Sequence, residues 1–577
     1  MKVILARNAG FCMGVRRAVE TTIDLVRREE HGIATFGPLI HNPQVLGLLA
    51  ERGVTVLSGI PGQACGTVII RAHGVPPKQK AALVALGVKV QDATCPRVVK
   101  VQAIIRKYQR QGYATVIIGD RDHAEVVGLM GYAEPHVQVV SSDADLPGLH
   151  LGMPYIIVSQ TTQDNATFQR LSAAILARFP GGQVFATICD STRKRQEEVK
   201  KLCQKVEALV VVGGRTSANT QRLGEIAAKM GRAVFLVETE ADLDWQGLAA
   251  FDKVGVTAGA STPTWMINRV VRAIECFPGK GRAGVRARLF QVMWYLLASN
   301  LYVALGGGLL ALVSALLLGL APDPRYFFMA FGYLFAMHNF NRFTNQEAGR
   351  FNDPARLAFF KARQWPLLAG SGLALAGALW LAFAFGVGPF LLLAGMSLLG
   401  VLYSVRLIPL AIARLTRVRR LKEISGSKTF FIALAWAFVT VLLPAWEGRR
   451  AGLPVAGLFA VVLVIVFIRN ALFDVFDVQG DRIVGKETLP VCIGERKTMR
   501  VLYLLIGLAG GLLIALPMAG VLPRWAMAGL PVIAYLFVLI QLYAHGKVCH
   551  GVKLEFGLET VFPLCSLAML AGRLLLA

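Results

Sequence analysis

Acidic residues are scarce in this chain. Thirty-six Asp and Glu face 61 Lys and Arg over 577 residues, a formal net charge of +25. Many of the basic residues sit in short loops between apolar runs, which is the positive-inside pattern of a membrane protein, so nucleic acid is not among the expected partners. Cysteine is also scarce. The nine cysteines are an odd number, scattered without a closely spaced pair, which argues against a secreted disulfide scaffold. The N-terminus, MKVILARNAGF, carries an apolar run too short for a signal peptide. The N-terminal half is therefore expected in a reducing cytosol. Charged residues make up only 17% and hydrophobic residues 55%, with a mean hydropathy of +0.53. Long apolar runs are missing from residues 1–285 and dominate from about Gln291 onward. The expected organisation is a soluble domain over 1–280, a basic linker over 281–290 and a membrane domain over 291–577.

In the soluble part, short apolar strands alternate with amphipathic helices. Residues 3–5 precede 15–27, 115–118 precede 123–132, and 155–158 precede 167–179. Strand, Gly- or Ser/Thr-rich turn, helix is the pattern of an α/β fold with parallel strands. In such sheets ligands bind at the carboxyl ends of the strands. The unusual polar segments fall at those ends: GFCMGV, DATCPRV, ATICDST, SQTTQD, VVGGRTSANTQRL and GVTAGASTPTWMI.

Three of these turns carry Cys12, Cys95 and Cys189, roughly 80 to 95 residues apart. That spacing is about one small α/β unit and predicts three similar lobes, each offering one thiolate to a common centre. A helix N-terminus favours the thiolate form. Three thiolates suit zinc or an iron–sulfur cluster, and three unrelated buried thiols remain the plain alternative. His41, His73 and His123, with Thr161, Thr162, Ser217, Asn219 and Ser261, supply donors for an anion such as a diphosphate. Glu125 lies among them. The other cysteines, Cys65, Cys203, Cys276, Cys492, Cys549 and Cys565, are assigned to packing.

About nine motifs over residues 1–277 resemble, in order and spacing, those of the 4-hydroxy-3-methylbut-2-enyl diphosphate reductase family. The resemblance implies a three-lobed, pseudo-threefold α/β domain. It implies that Cys12, Cys95 and Cys189 hold a [4Fe–4S] cluster. His41, His73, His123, Thr162, Ser217, Asn219 and Ser261 would bind the diphosphate, and Glu125 with Thr161 would deliver the proton that lets water leave. The implied products are isopentenyl and dimethylallyl diphosphate, and the implied electron donor is a ferredoxin or flavodoxin. Two positions depart from the family: Ala218 replaces a frequent Ser and Ala124 a frequent Pro.

The second part reads as an all-α, polytopic membrane domain with nine spans of bilayer length: 291–320, 325–341, 366–385, 388–404, 428–446, 453–472, 500–519, 525–544 and 557–576. Basic loops at 405–427 and 473–499 fit a multi-pass protein of the cell inner (cytoplasmic) membrane with its N-terminal domain in the cytoplasm. Asp474, Asp477 and Asp481 fall at i, i+3 and i+7, one face of a helix end, and clustered carboxylates there suit Mg2+ carrying a diphosphate. This segment resembles the second aspartate motif of the UbiA superfamily of membrane prenyltransferases. In the region of the first motif, HNFNRFTNQEAGRFNDPAR, Asn341 fits. Arg342, Asn345 and Gly349 stand where the aspartates belong, with Glu347 and Asp353 nearby. Three readings stay open: a prenyltransferase, a diphosphate binder using Arg342 and a single Mg2+, and a non-catalytic membrane anchor or carrier.

Overall fold

The computed structural model describes residues 1–28, 32–62, 66–152, 154–277, 285–344, 346–404, 427–484, 486–545 and 551–576. The chain divides into two compact units, Met1–Lys280 and Gly281–Ala577.

The first unit contains three four-stranded sheets, parallel throughout. Their central strands are apolar runs. Residues 68–70, 116–118, 156–158 and 210–212 are at most 1% exposed, as expected of parallel strands covered on both faces. One sheet runs Thr55–Leu57, Ile33–Phe36, Thr67–Ile70, Lys89–Asp92. A second runs Val137–Val140, Ala114–Ile118, Tyr155–Ser159, Gln183–Val184. In both, the spatial order is second, first, third, fourth strand. The remaining sheet follows the same order, Ala233–Val237, Ala208–Val212, Lys253–Ala258, Lys2–Leu5. Its fourth strand is the first of the chain, so the two ends of the unit close one lobe together. The helices Met13–Arg27, Pro96–Gln109 and Asp190–Cys203 each leave a fourth strand and lead to the next lobe.

The second unit is helical. Among the described residues, six helices are long and apolar enough to cross a membrane: Gln364–Phe385, Lys428–Glu447, Leu453–Arg482, Glu495–Met518, Arg524–Ala544 and Val552–Leu575. A bent pair, Arg288–Ala298 and Leu301–Leu317, makes a seventh if it is one span. These helices make a multi-pass membrane protein, with six or seven candidate spans where nine were expected. The differences have local causes. The run 291–320 breaks by 72° at Asn300, whose φ of 63° is left-handed. The run 325–341 is helical, Pro324–Thr344, but ends in His338, Asn339, Asn341 and Arg342 and is not apolar enough. The run 388–404 is an apolar helix shorter than a span, Val387–Leu402.

Two boundaries also move. The expected linker is helical from Val285. The expected loop from 473 is helix as far as Val484, because Leu453–Val484 continues for 32 residues. The basic loop at 405–426, Asn345, Cys65 and Cys549 lie outside the described residues. Cys203 and Cys565 are buried as expected, whereas Cys492 is exposed and serves no packing role.

The buried polar side chains at the bend are paired with one another. Asn300 donates to Asn339 (2.8 Å), and Asn339 donates to Ser371 (3.1 Å). Helices also approach closely at glycine, as small residues allow in membranes. A Cβ on Gly332 would lie 2.5 Å from the Ala374 carbonyl.

Candidate active site

The three lobes carry equivalent turns, and hydrogen bonds set the register. After each first strand a glycine N–H donates to the neighbouring strand's end: Gly37 to Leu57 (2.8 Å), Gly119 to Val140 (3.0 Å), Gly213 to Val237 (2.9 Å). Four residues later stand His41, His123 and Ser217. After each fourth strand comes a cysteine whose N–H donates to the turn of the third strand. Cys95 donates to Ala72 (2.9 Å), Cys189 to Thr161 (2.9 Å) and Cys12 to Ala260 (3.1 Å). The residues after those acceptors are His73, Thr162 and Ser261. Thr161 therefore occupies the position that is alanine in the other two lobes.

That hydroxyl has one use. Glu125 is 2% exposed, and both its oxygens accept from Thr161, one from the backbone N–H (2.6 Å) and one from the hydroxyl (2.7 Å). Burial outweighs these bonds and pushes the Glu125 carboxyl up to about 7, where it can hold a proton near neutral pH. The Glu125 N–H donates to His123 Nδ1 (3.2 Å), so the proton of a neutral His123 sits on Nε2.

The His41, His73 and His123 rings pack with centroids 4.8, 5.7 and 5.4 Å apart. Burial, then the neighbouring imidazoles and Arg71, hold His73 well below the usual histidine range. Burial first, then Arg71, lowers His41. Burial and His41 hold His123 at about 4. The buried atoms His41 Nε2, His73 Nδ1 and Asn219 Nδ2 have no hydrogen-bond partner. Unpartnered polar nitrogens beside an arginine suit an anion. The ring nitrogens also lie within 4.8 Å of one another, close enough for a metal ion, but Arg71 beside them favours the anion.

Ser217 and Asn219 are buried where the helix Ala218–Lys229 begins. Ser261 donates to the His41 carbonyl (3.0 Å). The Thr162 hydroxyl accepts from Gln160 (2.8 Å) and already has a protein partner. The resemblance singled out none of Arg71, Asp120 or Arg222. Arg222 bonds both Asp120 oxygens (2.8 and 2.9 Å) and donates to the Thr162 carbonyl, which ties two lobes together beside Glu125. Nothing in the sequence marks this pair, 102 residues apart.

Cys12, Cys95 and Cys189 are half-buried and each caps the N-terminus of a helix. They converge: a Cβ on Gly14 would lie 2.4 Å from Cys95 Sγ. The expected lowering of the thiols by the helix ends fails at Cys95. Burial raises it, the N–H of Arg97 pulls the other way, and Cys12 and Cys189 add to the rise. Three cysteine sulfurs brought together at helix starts suit a positively charged centre bound by all three, and an iron–sulfur cluster fits this donor set.

In the membrane unit Asp474, Asp477 and Asp481 lie on one helix. Lys428 is 3.2 Å from one Asp474 oxygen and Thr429 donates to the other. Lys486 is 3.7 Å and Asn352 3.1 Å from Asp481 Oδ1, while its Oδ2 is buried without a hydrogen-bond partner. Asn341 lies in the last turn of the helix Pro324–Thr344, its carbonyl accepting from the Thr344 hydroxyl (3.1 Å). Next to it is Arg342, within electrostatic reach of Asp477, Asp353, Arg356 and Glu555. Lysines hold two of the three carboxylates, and Arg342 brings a further positive charge near Asp477. A two-metal Mg2+ clamp does not fit these donors.

Residues 3–275 match the family profile LytB protein, and residues 327–548 match that of the UbiA prenyltransferase family. A 4-hydroxy-3-methylbut-2-enyl diphosphate reductase of Geobacter sulfurreducens is 41% identical over 280 residues, 48% of this chain and 99% of that protein. A solved structure of (E)-4-hydroxy-3-methyl-but-2-enyl diphosphate reductase is 37% identical, with a TM-score of 0.39, over 48% of this chain and all of that one. A UbiA homolog from Archaeoglobus fulgidus, solved with GPP and Mg2+, is 16% identical, with a TM-score of 0.35, over 49% of this chain and 98% of that one.

Proposed function

The chain belongs, through its residues 3–275, to the LytB family of 4-hydroxy-3-methylbut-2-enyl diphosphate reductases, and from that premise we infer how its first unit carries out the reaction. The allylic alcohol takes up two electrons and two protons, its C–O bond breaks and water leaves, giving isopentenyl or dimethylallyl diphosphate. Cys12, Cys95 and Cys189 hold a [4Fe–4S] cluster, which when bound supplies electrons and a Lewis-acidic iron. His41, His73, His123, Ser217, Asn219 and Ser261 bind the diphosphate, with Thr162 at the edge of that set. Glu125 gives the departing hydroxyl its proton. Thr161 fixes both carboxylate oxygens so that this proton points at one place.

The observation that carries this reading is the buried Glu125–Thr161 pair beside imidazole nitrogens that have no hydrogen-bond partner. The test is anaerobic turnover of the diphosphate by the full chain with reduced viologen. Turnover should be lost in both Cys95→Ser and Glu125→Gln. A cluster-loaded protein that forms no five-carbon diphosphate would sink the assignment.

The natural donor is a ferredoxin or flavodoxin in the cytoplasm, with the second unit in the cell's inner membrane. The lysines on Asp474 and Asp481 favour that unit as an anchor or prenyl-diphosphate carrier over a transferase. In lipid, with Mg2+ and a panel of labelled prenyl donors and quinone-ring or phosphosugar acceptors, no transfer is expected. Turnover with any pair would restore the transferase.

A further inference from the structure

We propose that the face where the three cysteine-capped helices begin is the docking surface for an acidic electron-carrier protein. The proposal rests on the reductase reading, which requires electrons from outside the chain. It names where they enter.

The three helix starts meet on one face. Gly14 lies against Cys95, Arg97 reaches Asp190 at 3.1 Å, and Arg195 donates to the Gly10 carbonyl. The lobes are equivalent, so the first turns of the three helices present equivalent positions around the thiols. Five residues after each cysteine stands a base: Arg17, Lys100 and Lys194, all exposed. Arg97 and Arg193, also exposed, lie closer to the centre. Asp190 is spanned by these two arginines, at 3.1 and 3.5 Å, and offers no free negative charge. Glu197, about two turns further along its helix and exposed, is the next acidic group on that helix.

The same first turns also carry two exposed apolar side chains, Met13 at 64% and Val99 at 46%. Exposed apolar side chains set among charged ones suit a protein–protein contact, and a basic surface selects and steers an acidic partner. The thiols behind it are only half-buried, so a carrier seated here arrives next to the atoms that hold the redox centre. A lipid surface would use the same charges but gains nothing from a position over the thiols.

The test uses the full chain in discs of neutral lipid, with an acidic ferredoxin in its oxidised state as probe, and binding as the readout. The wild type should bind, weakening about tenfold or more as salt is raised. The combined variant Arg17→Glu, Lys100→Glu, Lys194→Glu should lose at least about tenfold in affinity. Its visible cluster absorption and viologen-driven turnover should stay at wild-type level, because none of the three touches the site. Unchanged ferredoxin binding in that variant would overturn the proposal. So would a variant that loses only its adhesion to anionic vesicles, since the face would then serve lipid. Loss of viologen turnover in the wild type would overturn the reductase reading instead, and the binding result would still judge the docking surface.

Discussion

At the scale of single residues, two side chains have measurable consequences. Burial holds the Glu125 carboxyl at about 7. An acid must be protonated to act, so turnover should be high below that pH and fall as pH rises through it. Glu125→Gln should remove this limb and lower the viologen-driven rate by roughly 10²–10⁴. Thr161→Val keeps the N–H bond and removes the hydroxyl donor that favours the ionised form. It should move the limb upward in pH and cost roughly tenfold in rate, about one hydrogen bond. Gly14 is the second case. Its Cβ would stand 2.4 Å from Cys95 Sγ and 2.9 Å from Cys95 Cβ, so Gly14→Ala should purify with much less cluster absorption. Gly47→Ala, with nothing within 4 Å, should load normally.

At the scale of elements, the joints between lobes and between helices matter. Arg222 is 12% exposed and its partner Asp120 46%. Discounting for that exposure, Arg222→Ala should cost about 1–2 kcal/mol in denaturant unfolding of the first unit. It should also slow turnover, because the lost bonds brace the Thr162 turn next to Thr161. In the membrane unit, the helices Pro324–Thr344 and Gln364–Phe385 meet at Gly332, where a Cβ would lie 2.5 Å from a backbone oxygen. Backbone cannot yield as a flexible side chain can. Gly332→Leu should lower the thermal midpoint in detergent, at a cost of about 1–3 kcal/mol.

At the scale of the whole molecule, the two units are built on different logics. The first closes on itself, since its opening strand completes the lobe made by its last strands. A chain ending at residue 280 should therefore fold and turn over with viologen at a rate close to the full chain. The same fragment without residues 1–6 should be insoluble, because the strand Lys253–Ala258 would expose an unpaired edge. The second unit depends on the membrane for the surface of its helices, and inside it Lys428 pairs with Asp474 and Lys486 with Asp481.

The sequence alone determined the two-part organisation, the alternation of strand and helix, the polar residues at strand ends and the three cysteines, because hydrophobic period and turn chemistry are local. The resemblance then supplied Glu125 and Thr161 as partners. Only the tertiary structure decided why Thr161 is there: it takes a place that is alanine in the sister lobes, and that equivalence is written in hydrogen bonds between strands far apart in the chain. Only it could pair Arg222 with Asp120, or set Gly14 against Cys95, since nothing local marks either. In the membrane unit, hydropathy found the helices, and of the nine spans expected six or seven are long and apolar enough to cross a membrane among the described residues. A left-handed turn at Asn300 and a polar helix end at 338–342 depend on partners such as Ser371, which pay for burying them and which one-dimensional hydropathy does not see. The aspartates were legible as a cluster. That lysines already occupy two of them was not, because an ion pair between helices leaves no trace in the spacing of either.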